Sequence, residues 1–281
     1  MDTQKALAQI AAEAERGELI FPTTAEMALK VQRALDDPDC SIDLLVKLVR
    51  AEPILAARVV ALANSVAYNR SGREITEVKS AVSRLGFKAL RVLATSVVVK
   101  QMQSMAQTPQ HRKLAIQLWE HTAHVAALAH VIARRVTHQD PDTAFFAGIV
   151  HEVGGFYLIS HAASHPGLLE GEHGSLQGWW EEGEIVTGRA VLDKLGVPPE
   201  VRKAIEYMWD GYLAMPPQTL GDTLLLADEL APVESPLTVL SGEGSEGVES
   251  SIEISLDDET LSGILAESAA EVASLIEAIR A

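Results

Sequence analysis

A single cysteine, Cys40, is the only thiol in 281 residues. That excludes an intrachain disulfide and a cysteine-based zinc cluster. Aromatic residues are scarce as well, at 5%, while 47% of the chain is apolar and rich in Ala, Leu and Val; this balance favours packed helices over sheets. No stretch alternates with period two for long enough to suggest a sheet. No uncharged apolar run reaches the roughly 18–20 residues a membrane span needs, so none is expected. The N-terminal MDTQKALAQIAAEAERGE has no basic segment followed by an apolar one, so no secretory signal is read there and a cytoplasmic location is expected. There is no G-x-G-x-x-G and no Walker pattern, and Gly154-Gly155 lacks the lysine and the preceding strand of a phosphate loop. No Ser-His-Asp or Cys-His order is legible. Cys40 follows Asp39 in an acidic turn that raises a thiol's pKa instead of activating it.

Positive charge is missing from the second half. Residues 1–135 carry 18 Lys/Arg and 13 Asp/Glu, whereas residues 136–281 carry 5 and 26, a net of −21 in a chain whose total is −16. The C-terminal half therefore repels nucleic acid and anionic lipid through its field, and an anionic partner has to meet the N-terminal half. Nucleic acid is further disfavoured because no stacking aromatics are interleaved with the basic residues. One basic constellation remains: Arg84, Lys88 and Arg91, with Arg70, Arg73 and Lys79 upstream. It is a candidate surface for a nucleotide messenger or an acidic partner; a solvated basic face is the plainer reading.

What the chain does contain is helical periodicity. Leu7, Ile10, Ala11 and Ala14 share one face of a helix over 3–16 that Gly17 stops. Residues 19–22 read as an extended link, and Thr23-Thr24-Ala25-Glu26 has capping-box spacing for a second helix with Met27, Val31, Ala34 and Leu35 inward. Ser41 caps a third, with Leu44, Leu45, Leu48 and Val49 inward, and Pro53 opens a fourth, with Leu55, Val59, Leu62 and Ala63 inward. Helices over 77–85 and 87–105 meet at Gly86. A long helix over 114–137 follows. Asp140-Pro141 restarts the chain into a helix that Gly154-Gly155 ends, and 156–162 is a further helix. Residues 165–184, rich in Gly and Glu, read as mostly loop around a short helix. Helices resume at 186–195, 200–209 and 219–230. Residues 232–258, rich in Ser, Gly and Glu, read as a flexible acidic connector. A last helix over 259–279 has Leu261, Ile264, Leu265, Val272, Leu275 and Ile276 on one side, a stripe that either docks on the body or serves a homodimer.

Several segments in fixed order resemble the HDOD domain, an HD-related output domain of bacterial signalling proteins. They are Asp36-Asp37-Pro38-Asp39, Leu55-Ala56-Ala57-Arg58-Val59, Leu62-Ala63-Asn64-Ser65, Ala81-Val82-Ser83-Arg84-Leu85-Gly86 and Leu118-Trp119-Glu120-His121. The resemblance spans residues 15–230. It implies an all-α fold of two packed helical lobes of HD-like architecture and a regulatory role, usually without catalysis. The expected organisation is an N-terminal helix at 1–16, an HDOD-like domain at 17–231 divided into lobes 17–109 and 110–231, a connector at 232–258 and a C-terminal helix at 259–281.

The stretch from Leu118 to Tyr157 carries His121, His124, His130, His151 and Glu152 on two apolar helices. HD-type hydrolases hold one or two ions such as Mn, Fe, Ni or Zn between helices, and the metal activates water for attack on phosphorus. By resemblance His121, His151 and Asp228 occupy ligand positions, and Glu152 replaces an Asp. Glu184 stands where a further His is often found, and Met208 and Trp209 stand where a His-His pair is expected, so a dinuclear centre lacks its ligands. Asp210-Gly211-Tyr212 only echoes the relatives' signature. The extra methylene of Glu152 moves its carboxylate by about a bond length, against a site tolerance of a few tenths of an ångström. The expectation is a vestigial site of His121, His151, Glu152 and Asp228, with no catalytic residue, no metal and no other cofactor. The chain is then not an enzyme but a regulatory signal-transduction module of the HDOD type that acts through a protein partner. The alternatives are a metal-dependent HD-type phosphohydrolase or phosphodiesterase using those four residues, and a receptor for a nucleotide second messenger at Arg84, Lys88 and Arg91. Of the other histidines, His124 shares a face with His121 and reads as hydrogen-bonded structure. His161, His165 and His173 read as solvated beside the polar loop, and His111 and His138 flank helix ends.

Overall fold

Capping chemistry sets where the helices begin. The computed structural model describes residues 3–16, 26–171, 175–211, 213–242, 255–256 and 259–280. The expected link at 19–22 and the cap at Thr23 lie outside them. Helix α1 covers Thr3–Glu15 and α2 covers Glu26–Leu35. Ser41 accepts from the Leu44 amide at 3.2 Å and starts α3, Ile42–Arg50. Pro53 is the first residue of α4, Pro53–Asn64. Gly86 adopts φ 75, ψ −178 and divides α5, Val78–Ser104, at the expected place; a side chain there meets the left-handed penalty that glycine escapes. Thr108 caps α6, Pro109–Ile132, which runs into a π-type turn at Ala133–Thr137 closed by His138 in the left-handed region (φ 54). Asp140 accepts from the Thr143 amide at 2.8 Å and starts α7, Pro141–Val150.

Helix α8, Val153–His161, follows α7 after a break at His151-Glu152, where Glu152 has φ −114, ψ 32. The glycine pair therefore does not end a helix; it lies inside one. Its role is close approach: a Cβ at Gly154 meets a Glu184 carboxylate oxygen at 2.8 Å, and one at Gly155 meets Leu237 Cδ1 at 2.3 Å. Helices α9 (Ile185–Lys194), α10 (Pro199–Trp209) and α11 (Leu220–Glu229) complete the second lobe, the last opened by a reciprocal Thr219/Asp222 capping box.

One continuous core joins both lobes, from Val31, Leu45, Leu62 and Val92 to Trp119, Phe145, Phe156 and Leu224. The fold is all-α; the described strands are a two-residue antiparallel ladder, β1 Ser255–Leu256 with β2 Glu259–Thr260. Pro141–Ser164 is long and apolar enough to cross a membrane by composition, but nearly all of it is buried inside the protein. The inward stripe of α3 is shifted by one residue from expectation: Leu45, Val46 and Val49 are buried and Leu44 is exposed. Helix α1 packs on α9, so the N-terminal helix belongs to the second lobe's surface.

Two stretches read as polar linkers are packed. In 165–184, Leu168, Leu169, Leu176 and Trp179 are buried, and Trp179–Glu184 forms a π-type turn; residues 172–174 lie outside the described residues. In the expected connector, Ser235 caps α12, Pro236–Ser241. Leu237 is buried, the Leu176 amide donates to Leu240 O at 2.9 Å, and Trp180 Nε1 donates to Ser241 Oγ at 3.1 Å. Burying a leucine side chain contributes about 1.5–3 kcal/mol, enough to hold so short a helix on the body. The expected single C-terminal helix is two, α13 (Leu261–Glu267) and α14 (Ala269–Arg280). Helix α14 docks on α4 and α6 and buries Leu275, Ile276 and Ile279. Glu271 pairs with Arg134 at 2.5 Å, Ser274 Oγ accepts from the Val66 amide at 3.1 Å, and Arg280 bonds Glu120. The stripe is thus used within the chain.

Candidate metal centre and cavity

Three elements deliver four donors to one point. His121 comes from the middle of α6, His151 and Glu152 from the break between α7 and α8, and Asp228 from the last turn of α11. His121, His151 and Glu152 are buried, and the Asp228 side chain is 36% exposed. His121 Nδ1 donates to the Val233 carbonyl at 2.7 Å, and His151 Nδ1 donates to the Gly148 carbonyl at 2.7 Å. Those bonds fix both tautomers and leave both Nε2 atoms facing inward, the arrangement that orients metal-binding imidazoles. His121 Nε2 lies 3.0 Å from Asp228 Oδ1, 3.3 Å from His151 Nε2 and 3.5 Å from Glu152 Oε2. His151 Nε2 lies 3.8 Å from Glu152 Oε2 and 3.9 Å from Asp228 Oδ1.

Without a metal, this is a proton-sharing cluster. Burial opposes a charge on His121, but Glu152, Asp228 and the Val233 carbonyl outweigh it and raise its pKa to about 9. Burial, the largest cause, keeps His151 below its ordinary value despite Glu152. Burial pushes Asp228 up, but the bond to His121 and the imidazole charges hold it below the usual carboxylate range. His121 therefore carries the charge, and the neutral His151 accepts at Nε2.

Three of the four residues fit a single divalent ion: His121, His151 and Asp228 each offer one ligand atom within 4.8 Å of the others, whereas Glu152 is not part of that mutually close set. Ligands about 2.0–2.1 Å from a tetrahedral ion lie about 3.3 Å from one another, and the separations among these three, 3.0, 3.3 and 3.9 Å, bracket that value. Glu152 Oε2 is buried with no hydrogen-bond partner, an acceptor that a cation satisfies. The longer Glu152 side chain does not leave the cluster, because Ser235 Oγ donates to its other oxygen at 2.7 Å and holds it there. Val233 and Ser235, which position two of the four donors, were missed by sequence reasoning. The signal available was the cap-and-proline pair Ser235-Pro236 before an apolar turn.

The HDOD domain family matches residues 21–210, more than half of the chain. The chain belongs to the HDOD family. Crystal structures share the fold: a Shewanella amazonensis protein provisionally named a metal-dependent phosphohydrolase (21% identical, TM-score 0.67, covering 99% of each chain) and an HDOD domain protein of unknown function from Geobacter sulfurreducens (22% identical, TM-score 0.61, covering 98% of this chain and 97% of the other). An uncharacterized Treponema pallidum protein is 26% identical over 150 residues, 53% of this chain; that match spans only 28% of the relative's own length.

The positions that differ from HD-type ligands in this HDOD protein fall around the cluster. Above it opens a cavity of about 540 Å³. Met208 and Trp209 form part of its wall together with Trp180. Glu152 and Asp228 lie at its floor, and the exposed Glu229 and Glu234 also line it. Among the described residues that line it, none is Lys or Arg. Glu184 is fully buried behind Gly154 and Gly188 with neither oxygen bonded. Burial first, and Glu152 second, push its carboxyl well above the usual range.

The basic constellation is occupied by the protein's own groups. Arg84 donates to the carbonyls of Ala63 and Arg73 at 2.8 and 2.9 Å, Lys88 pairs with Asp140 at 3.0 Å, and Arg91 pairs with Asp36 at 2.6 Å. An anionic ligand there has to displace two carboxylates. The remaining histidines stand apart from the cluster. His124 Nδ1 donates to the Glu120 carbonyl at 2.7 Å, as expected of a structural role. His130 lies against Glu271 at 3.5 Å. His161 is half-buried and stacked on Tyr157 at 4.0 Å, and His165 is half-buried, so neither is simply solvated; His173 lies outside the described residues. At Cys40, burial and then Asp37 raise the thiol, in keeping with its acidic turn.

Proposed function

We propose that this protein is a regulatory signal-transduction module of the HDOD type that acts by binding a protein partner and does not hydrolyse phosphate esters. The observation that carries this reading is the charge of the cavity. Phosphoryl-transfer sites stabilise the charge on equatorial oxygens with Lys, Arg and metal clamps. Here four acidic residues line the cavity, with no Lys or Arg among its described lining residues. A single divalent ion offsets two of the four. Met208 and Trp209 add apolar wall where a second ion needs imidazoles. The test is an assay on simple phosphomonoesters and phosphodiesters with Mn²⁺, Fe²⁺, Ni²⁺ or Zn²⁺ supplied. The expected rate is that of a His151→Ala variant, and activity that this variant loses overturns the reading.

A second reading, a metal-dependent phosphohydrolase, is favoured by one observation, the convergence of the four donors. His121, His151, Glu152 and Asp228 would hold the ion, which when bound supplies Lewis acidity and an activated water. On that reading the chain's own residues orient the imidazoles through Val233 and Gly148 and fix Glu152 through Ser235. Elemental analysis of protein purified without chelator separates the two: stoichiometric metal whose removal by EDTA abolishes turnover favours the enzyme.

A further inference from the structure

We propose that the cavity over the histidine–carboxylate cluster is a receptor for an organic cation, the lysine or arginine side chain of an exposed segment on a partner protein. This rests on the regulatory reading and names the chemistry of its partner. Three independent features converge. The first is charge: Glu152, Asp228, Glu229 and Glu234 line one cavity, and none of its described lining residues is Lys or Arg. The second is a buried acceptor: the Glu152 side chain is 3% exposed and lines the cavity, and its Oε2 has no hydrogen-bond partner, its nearest polar neighbours being the His121 and His151 imidazoles at 3.5 and 3.8 Å. The third is the wall. Trp180, Trp209 and Met208 line it, residue types beside which a guanidinium or ammonium gains cation–π attraction and its aliphatic stem gains apolar contact.

Trp209 already binds such a group within the chain. The Arg189 guanidinium lies 5.5 Å from its ring centroid, and Arg189 is not among the cavity's lining residues. At about 540 Å³ the cavity is larger than a water-filled cleft over a lone ion requires and accommodates a long side chain with the backbone that carries it. The field agrees. Residues 136–281, which supply all the lining residues but His121, have a net charge of −21 and steer basic segments toward this face.

Intrinsic fluorescence tests the proposal directly. Of the four tryptophans, Trp119 and Trp179 are fully buried in the core while Trp180 and Trp209 line the cavity. The full chain in EDTA is titrated with acetyl-Gly-Arg-Gly-Arg-Gly-amide and with the same peptide carrying Gln for Arg. A saturable change is expected with the arginine peptide, weakened by salt and absent with the glutamine peptide. The double variant Glu229→Gln/Glu234→Gln changes two exposed side chains, leaves the core untouched, and is expected to weaken binding about fivefold or more. Trp209→Leu is expected to weaken it as well. Equal affinity for both peptides, or equal affinity in the double variant, overturns the proposal. Turnover of phosphate esters overturns the regulatory reading itself; absent peptide binding with absent turnover overturns only the cation receptor.

Discussion

Replacing Ser235 with alanine tests how the end of the second lobe holds the site. The Ser235 hydroxyl donates to Glu152 Oε1 at 2.7 Å in a buried setting, and it also accepts from the Leu237 amide at 3.3 Å as the cap of α12. A hydrogen bond to a buried carboxylate contributes about 1.5–3 kcal/mol, and a serine cap about 1 kcal/mol. One hydroxyl serves both, so Ser235→Ala is expected to cost about 2–3 kcal/mol. In a chain of this size that corresponds to a Tm roughly 5–10 °C lower. A double-mutant cycle with Glu152→Met isolates the pair. In the Glu152→Met background, Ser235→Ala is expected to cost only the cap, about 0.5–1 kcal/mol, so the coupling is about 1.5 kcal/mol. Thermal unfolding of the four proteins gives the answer. A cost below about 0.5 kcal/mol in the wild-type background, or the same cost in both backgrounds, refutes the reasoning that residues 232–242 are structural and tied to the cluster.

Other expectations follow from the same coordinates. Gly148→Ala places a Cβ 2.4 Å from the Ala126 backbone, where α7 meets α6 and where Gly148 O orients His151; the overpacking is expected to cost about 3 kcal/mol, read by urea unfolding. Glu271 is pushed up by burial but held lower overall by His130 and Arg134. A depressed carboxylate stabilises above its unfolded pKa and loses that contribution as pH falls through its folded pKa. The wild type should therefore lose more Tm between pH 6 and pH 3 than Glu271→Gln, and an identical loss in both proteins contradicts the latch. Calorimetry with Zn²⁺ should give at most one ion per chain, because Met208 and Trp209 offer no second set of ligands, and His151→Ala should remove it; two ions per chain contradict the assignment.

Much of the fold was legible because local signals and packing agree. Ser41, Pro53, Gly86 and Asp140 mark boundaries through backbone chemistry that tertiary contacts do not override. His121, His151, Glu152 and Asp228 were named through the family resemblance, and the structure places one ligand atom each of His121, His151 and Asp228 within 4.8 Å of the others, with Glu152 Oε2 3.5 Å from His121. What the sequence hides is burial of polar-looking segments. Glu184 sits in a stretch read as mostly loop, yet it is fully buried, and Gly154 and Gly188 give it room. Gly154 and Gly155 read as ending a helix, because composition does not distinguish a glycine needed for φ from one needed for space. Residues 232–242 read as linker because they open the Ser-, Gly- and Glu-rich stretch 232–258, but one leucine against Gly155 anchors them. The cavity's charge belongs to the same class: Glu229 and Glu234 are unremarkable surface acids until α11 and the following turn place them beside two tryptophans.

Turnover is the most direct test of the account. The protein, loaded in turn with one equivalent of Mn²⁺, Fe²⁺, Ni²⁺ or Zn²⁺ and held in molar excess over bis(4-nitrophenyl) phosphate, can be followed by phosphorus NMR under single-turnover conditions. The account predicts that the phosphodiester signal decays no faster than with His151→Ala. Metal-dependent conversion to monoester that His151→Ala abolishes contradicts it.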